Sequence, residues 1–427
     1  MYVLYSIFLF LAVLLYFPFY AFRIKVLKRE RIHLLERLGF GLRPSSASAP
    51  GLWIHAVSVG EVLSLRSLVQ ELRKRHPSWA IHFSSLTNTG IRVARDKLGE
   101  VDHIFFSPLD FAWVVRKFFR AIQPRVFILA ESEFWPNLLH VAKKQDIPVL
   151  LVNGRVSIRS FARYGKLMPL SRRILSQISL FLVQTETDKR RLEHLEVGAD
   201  RIRIVGNLKA EVHLPIFAPA EISQLRESLK IAREKKVVVA GSTRKGEEEI
   251  LLEAYREARR TRPDLLLIIA PRHPERLNEV EKICRNYEFR VARRTEGVPL
   301  RAWDILILDT IGELAQFYAL GDLAFIGGSL VPWGGHNLLE PAFYEKPVFF
   351  GPHMQNFAYL ADLFVQAGAA RTTHQGEELL QMFLMVDDQA LKTMGRKAKE
   401  VLDSLQGVTE KTIRAIEFFM DQTRGRG

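Results

Sequence analysis

From Gly51 onward the chain alternates short, continuously apolar runs with longer amphipathic stretches, and this alternation leaves few folds open. "LWIHAVSV" precedes "EVLSLRSLVQELRKRH", "AIHFSSL" precedes "TGIRVARDKLG", and "RVFILA" precedes "EFWPNLLHVAKKQ". A strand apolar along its whole length must be covered on both faces, so the pattern predicts parallel sheets wrapped by crossover helices. "HIFFSP", "PVLLVN", "LFLVQT" and "RIRIVGN" complete a first series. A second runs through "KVVVAGS", "LLLIIAP", "DILILDT", "LAFIGGS" and "PVFFGP". The pattern therefore predicts two doubly wound α/β domains, at 51–212 and 237–427, joined by a linker at 213–236.

The N-terminus reads differently. Residues 1–22 carry no charge, and as a helix they would extend roughly 33 Å, enough for a bilayer core. Arg23, Lys25, Lys28, Arg29 and Arg31 come next, which on the positive-inside rule keeps the body of the chain in the cytoplasm. A cleaved signal peptide carries its charge first, and this one does not. We therefore expect a membrane-anchoring helix at 1–22, either spanning or lying in one leaflet with Pro18 as a kink. A basic segment and flexible linker fill 23–50 and end in "RPSSASAP". Mean hydropathy of +0.01 excludes a polytopic membrane protein.

The net charge of +14 is lopsided: residues 1–210 hold 32 Lys/Arg against 16 Asp/Glu, and the remainder 29 against 31. The basic half calls for an anionic partner, either a phosphorylated substrate, an acidic membrane surface or nucleic acid. The single cysteine, Cys284, excludes an internal disulfide and a cysteine-rich metal site. His-Glu-x-x-His spacing, the P-loop and a Gly-x-Gly-x-x-Gly after the first strand are all missing, so zinc-hydrolase and dehydrogenase readings lack support. No metal or cofactor is expected.

In open α/β sheets ligands bind beyond the carboxyl ends of the strands. In the first domain these ends carry Glu61, Glu131 and Lys209. An acid in a first helical turn is usually there for the helix dipole, so position alone leaves Glu61 and Glu131 open between capping and chemistry. Arg155, Arg159 and Arg163 have helical i, i+4, i+8 spacing, a phosphate clamp or a solvated face. In the second domain the ends carry Gly241–Arg244, Arg272-His273, Gly312-Glu313 and the loop "GGSLVPWGGHNLLEP". The glycines of that loop let backbone approach a ligand, and the helix start near Asn337, with Glu340 one turn in, suits a nucleotide.

Taken in order, "SVGEV", "FILAESEFWPNLL", "NGRVSIRSFARY", "VGNLK", "GST", "APRHPER" and "GGSLVPWGGHNLLEP" resemble the motif series of the bacterial 3-deoxy-D-manno-octulosonic acid (Kdo) transferases, across about residues 23–357. The resemblance implies a GT-B architecture, two Rossmann-like domains facing across a cleft, with an anchor in the bacterial inner membrane. It also implies transfer of Kdo from CMP-Kdo to a phosphorylated lipid A precursor, by an inverting mechanism. By the same resemblance Glu61 is the proton acceptor, and Glu131 and Lys209 stabilise the transition state. Arg272, His273, Gly312, Glu313, Leu314, Asn337, Leu338, Leu339 and Glu340 bind CMP. The alternatives are a GT-B enzyme using a UDP-sugar on a lipid-linked acceptor, a membrane-tethered nucleic-acid-binding protein, and a non-enzymatic sugar-nucleotide sensor. The nucleic-acid reading lacks any recognition signature.

Overall fold

A computed structural model describes residues 2–27, 33–42, 44, 51–132, 134–212, 214–296, 303–386 and 389–423. The chain divides into two compact units, 1–211 with 407–427, and 212–406.

The first unit holds a seven-stranded, wholly parallel sheet: β1 (Gly51–Ala56), β2 (Ala80–Ser85), β3 (His103–Phe106), β4 (Pro124–Ala130), β5 (Val149–Gly154), β6 (Leu180–Val183) and β7 (Ile202–Ile204). Its order is β3-β2-β1-β4-β5-β6-β7. Side chains alternate across a strand, so β1 feeds two cores. Leu52 and Ile54 pack on one face with Val62 and Leu68, and Trp53 packs on the other with Phe118, Phe119 and Phe127. That is why both halves of the period are apolar in "LWIHA". The strand order reverses between β1 and β4, which opens a crevice at their carboxyl ends.

The second unit repeats the plan with β8 (Lys236–Thr243), β9 (Leu265–Pro271), β10 (Val291–Arg293), β11 (Ile305–Ile307), β12 (Leu323–Ile326), β13 (Val348–Phe350) and β14 (Ala370–Thr372). The order β10-β11-β9-β8-β12-β13-β14 puts its switch point between β8 and β12. Sequence periodicity misses β10 and β14. Both are three-residue edge strands, too short for an apolar run.

Two boundaries differ from the sequence reading. The segment 213–236 is no bare linker, because the helix Pro219–Ser228 sits in it and puts Leu225 into the second unit's core. The expected second domain, 237–427, gives up its last helix. Val408–Gln422 returns to the first unit, where Val408, Ile413, Ile416 and Met420 join the core beside β1 and β4. Arg75 and His76 bind Glu410 and Glu417 on its polar side. Each buried apolar side chain is worth about 1.5–3 kcal/mol, which outweighs surface ion pairs of about 0–1 kcal/mol as the cause of the return.

The N-terminal apolar run forms the start of a helix, Tyr2–Leu27. Tyr2 stacks on His140 at 3.8 Å, and its hydroxyl accepts from Gln177 Nε2 at 2.7 Å. Ser6 Oγ accepts from Asn137 Nδ2 at 3.0 Å. The outer positions are apolar and open, with Phe8 71% and Leu15 79% exposed. Among the described residues no helix is long and apolar enough to cross a membrane. The basic run at 28–32 and nearly all of the 43–50 linker lie outside the described residues.

Candidate active site

In the first unit the switch point gathers three of the expected residues. β1 ends at Ala56, and Ser58 caps the short helix Val59–Ser64 by accepting from Glu61 N at 3.3 Å. The Glu61 carboxylate turns back, accepting from Val57 N at 2.8 Å and Ser58 Oγ at 2.9 Å. This is a variant of the capping box. Glu61 is 7% exposed, and burial lifts its pKa above the ordinary carboxylate range. The Val57 and Ser58 hydrogen bonds pull it down, while the negative charge of Glu131 adds to the rise. Burial therefore outweighs the helix start, so the carboxylate is more basic than an exposed one.

Glu131 comes directly after β4 with φ +56, a left-handed backbone that is rare for a glutamate. Its Oε1 accepts from Lys209 Nζ at 2.8 Å. Asn153, also left-handed at φ +56, accepts Leu208 N on its Oδ1 at 3.0 Å and so fixes the turn that carries Lys209. Gly60 lies against this pair, since a Cβ there would meet the Lys209 ammonium at an ordinary contact distance of 3.8 Å. The site thus has a buried carboxylate beside an exposed carboxylate–ammonium pair.

In the second unit the switch point is cationic. Arg244, just past β8, donates from Nε to His336 Nε2 at 3.2 Å and from Nη1 to His273 Nε2 at 2.5 Å. Its guanidinium lies 5.0 Å from the centre of the Trp333 ring. Arg272 is near enough, with Arg244 and His273, to add to the burial that holds His336 down to about 4. His336 is therefore a neutral acceptor at pH 7. Among the described residues neither Arg244 nor Arg272 pairs with a carboxylate. Such a surplus of cations in a crevice suits an anionic ligand.

Two buried glutamates hold this site together. Glu247 accepts from the main-chain N–H groups of Arg244, Gly328, Ser329 and Leu330 at 2.5–2.9 Å, tying the loop after β8 to the loop after β12. Glu248 takes Arg276 on both oxygens, at 2.9 and 3.2 Å, and Thr243 Oγ1 at 2.9 Å. That pair fixes the Arg272-His273 turn beside β8. Gly327 has no room for a side chain, because a Cβ would stand 2.4 Å from Ser242 O.

Residues 32–212 match the family model described as 3-deoxy-D-manno-octulosonic-acid transferase (kdotransferase). A 3-deoxy-D-manno-octulosonic acid transferase of Haemophilus influenzae is 32% identical over 398 residues, covering 92% of this chain and 93% of that protein. The chain belongs to the Kdo transferase family. The Bordetella pertussis member is likewise 32% identical, over 88% of this chain and 89% of the relative. A solved glycosyltransferase of Rickettsia africae shares the fold at 12% identity, with a TM-score of 0.54 over 87% of this chain and 99% of that one.

Within this Kdo transferase the residues expected from sequence fall into three groups. Glu61, Glu131 and Lys209 come together, and so do Arg272, His273 and Glu340. Glu313 is held instead by Arg294 Nη2 at 3.0 Å and by Thr310, with no hydrogen bond or ion pair to the cationic cluster among the described residues. Gly312, φ +95, precedes the helix Leu314–Leu320, whose first residue is Leu314. Leu338 and Leu339 are fully buried, main chain included, so neither presents a surface to a ligand. Asn337 Oδ1 accepts Leu339 N at 3.1 Å, and its Nδ2 donates to Glu340 at 3.3 Å.

The predicted arginine stripe is shorter than its spacing suggested. Ser157 caps a helix that runs Ile158–Lys166, so Arg155 precedes it and only Arg159 and Arg163 share its face. Sequence reasoning placed Arg244 at a strand end but gave no role to it, nor to His336, Glu247 or Asn153. Arg244, Glu247 and Asn153 lie within a few residues of strand ends, and His336 lies in the loop ten residues after β12. What marks them out is pairing across tens of residues, which the sequence does not display.

Proposed function

We propose that this enzyme transfers Kdo from CMP-Kdo to a hydroxyl of a phosphorylated, acylated lipid A precursor, with Glu61 as general base. The observation that carries the reading is the buried Glu61 carboxylate at the first switch point, its pKa raised by burial, with the Glu131–Lys209 pair alongside. The acceptor oxygen attacks C2 of Kdo as its proton passes to Glu61, and the C2–O bond to phosphate breaks, with CMP leaving with the electron pair. One displacement suffices, so the reaction inverts. Lys209 offers positive charge to the transition state, and Arg244 and Arg272 offer it to the anionic donor.

The test is mass spectrometry of lipid products after incubation with a tetraacylated lipid A precursor and either CMP-Kdo or UDP-sugars. Mass gain only with CMP-Kdo is expected, and its size counts the residues added. Gain only with a UDP-sugar would overturn the donor. The cationic cluster adds a prediction. Arg244→Gln should raise KM for CMP-Kdo by about 10–100-fold, the worth of one charge-assisted hydrogen bond, with kcat changed far less. Steady-state kinetics at saturating acceptor would read it.

The enzyme works at the cytoplasmic face of the inner membrane in this reading, with the N-terminal helix in the plane of one leaflet. Support comes from the first turns, where Tyr2 and Ser6 are tied to Gln177, His140 and Asn137 of the body, while Leu4 and Phe8 face outward. A helix held to the body at its first turn does not put that turn across the bilayer. Because Cys284 is buried, Leu4→Cys supplies one reactive thiol. It should stay unlabelled when an impermeant maleimide is added outside spheroplasts. Labelling from outside would establish a spanning helix.

A further inference from the structure

A second cavity in the first unit, of about 510 Å³, takes no part in the chemistry above. It lies between the N-terminal helix, the segment just after β4, and the helices Ile158–Lys166 and Met168–Leu175. Aromatic and aliphatic side chains (Tyr5, Phe134, Trp135, Tyr164, Ile174 and Leu175) share its walls about equally with polar atoms. The Ser171 hydroxyl is already committed to Tyr164 O at 2.9 Å. The apolar part of the wall would take water from an alkyl chain, and the polar part suits the headgroup that carries it.

Three observations define the occupant. Ser132 lines the cavity and is the residue next to Glu131, so the cavity wall and the carboxylate–ammonium pair share one stretch of chain. Arg163 stands at its edge, its guanidinium 5.4 Å from the Tyr164 ring centre and without a carboxylate partner among the described residues. Trp135 keeps its Nε1–H buried with no acceptor, and the carbonyl of an ester- or amide-linked chain is the kind of group that donor lacks. Walls that are half apolar and half polar, a cation among them and an unpaired donor match an acylated sugar phosphate. We propose that the cavity seats one acyl chain of the acceptor lipid, with Arg163 on an acceptor phosphate.

The proposal rests on the lipid-acceptor reading, and its test separates the two. Binding is measured by calorimetry in detergent, without donor or bilayer, for the tetraacylated acceptor and for its fully deacylated sugar phosphate. Trp135→Ala and the cavity-filling Ile174→Trp should each weaken the acylated acceptor at least tenfold and leave the deacylated one within twofold. Equal loss on both ligands, or none on either, overturns the acyl site, as does a parent enzyme that binds both forms equally. If one variant fails to fold, the other decides. Kdo transfer by the parent enzyme is assayed separately, so a wrong reaction shows as no product from CMP-Kdo, whatever the binding result.

Discussion

Replacing Glu61 with glutamine lowers Kdo transfer by about 10²–10⁴-fold, the usual worth of a general base, while CMP-Kdo still binds. The substitution is a sharp test because Glu61 has a second job. It accepts hydrogen bonds from Val57 N and Ser58 Oγ at the start of the helix Val59–Ser64. A glutamine amide keeps an acceptor oxygen for that role, and losing a cap costs only about 0.5–2 kcal/mol. If Glu61 merely started a helix, Glu61→Gln would fold and transfer at nearly the parent rate. That outcome would remove it from the mechanism. The pH profile gives a second readout. Burial raises the pKa of Glu61, so its basic, ionised form is lost as pH falls through a value above the ordinary carboxylate range. Transfer should fall on the acid side along that limb, and in Glu61→Gln the residual activity should lack it.

The sequence carried the sheets and the strand ends, because a doubly wound fold writes both into its apolar periodicity. Glu61, Glu131 and Lys209 were reachable by looking only at the residues just past each strand. The relation between them was not. Lys209 meets Glu131 across 78 residues, and Arg244 meets His336 across 92, through the order in which strands are laid beside one another. The helix Val408–Gln422 shows the same gap in another form. Its apolar face is plain in the sequence, but any core of suitable width accepts such a face, and only the fold decides that the first unit's core does. Arg155 leaves the helical stripe for a local reason, since the Ser157 cap starts the helix one turn later than the spacing assumed. Glu247 is the least legible of all. It reads as one acid in "KGEEE", yet its carboxylate collects four main-chain N–H groups from two loops.

Lys209→Met should cut transfer by about 10²–10³-fold, in the range of removing one preorganised electrostatic stabiliser. The rival explanation is that Lys209 only pairs with Glu131 to hold the turn. Magnitudes weigh against it. The Lys209 side chain is 45% exposed, and an ion pair so open to water contributes about 0–1 kcal/mol. Holding Glu131 at φ +56 costs on the order of 1–3 kcal/mol, so the pair does not offset the strain it accompanies. Left-handed residues of this kind cluster where a side chain must be aimed, which fits a carboxylate directed at a reacting centre. The exchange Glu131→Lys with Lys209→Glu separates the two explanations. It keeps one acid and one base at the two positions and reverses the charge at each. A pair that only held the turn would let the double variant recover most of the activity lost by either single change. If the positions matter because a transition state reads their charges, the double variant stays as inactive as Lys209→Met while melting close to the parent temperature. Recovery of transfer in the exchanged enzyme would return Lys209 and Glu131 to a structural role and leave Glu61 to act without them.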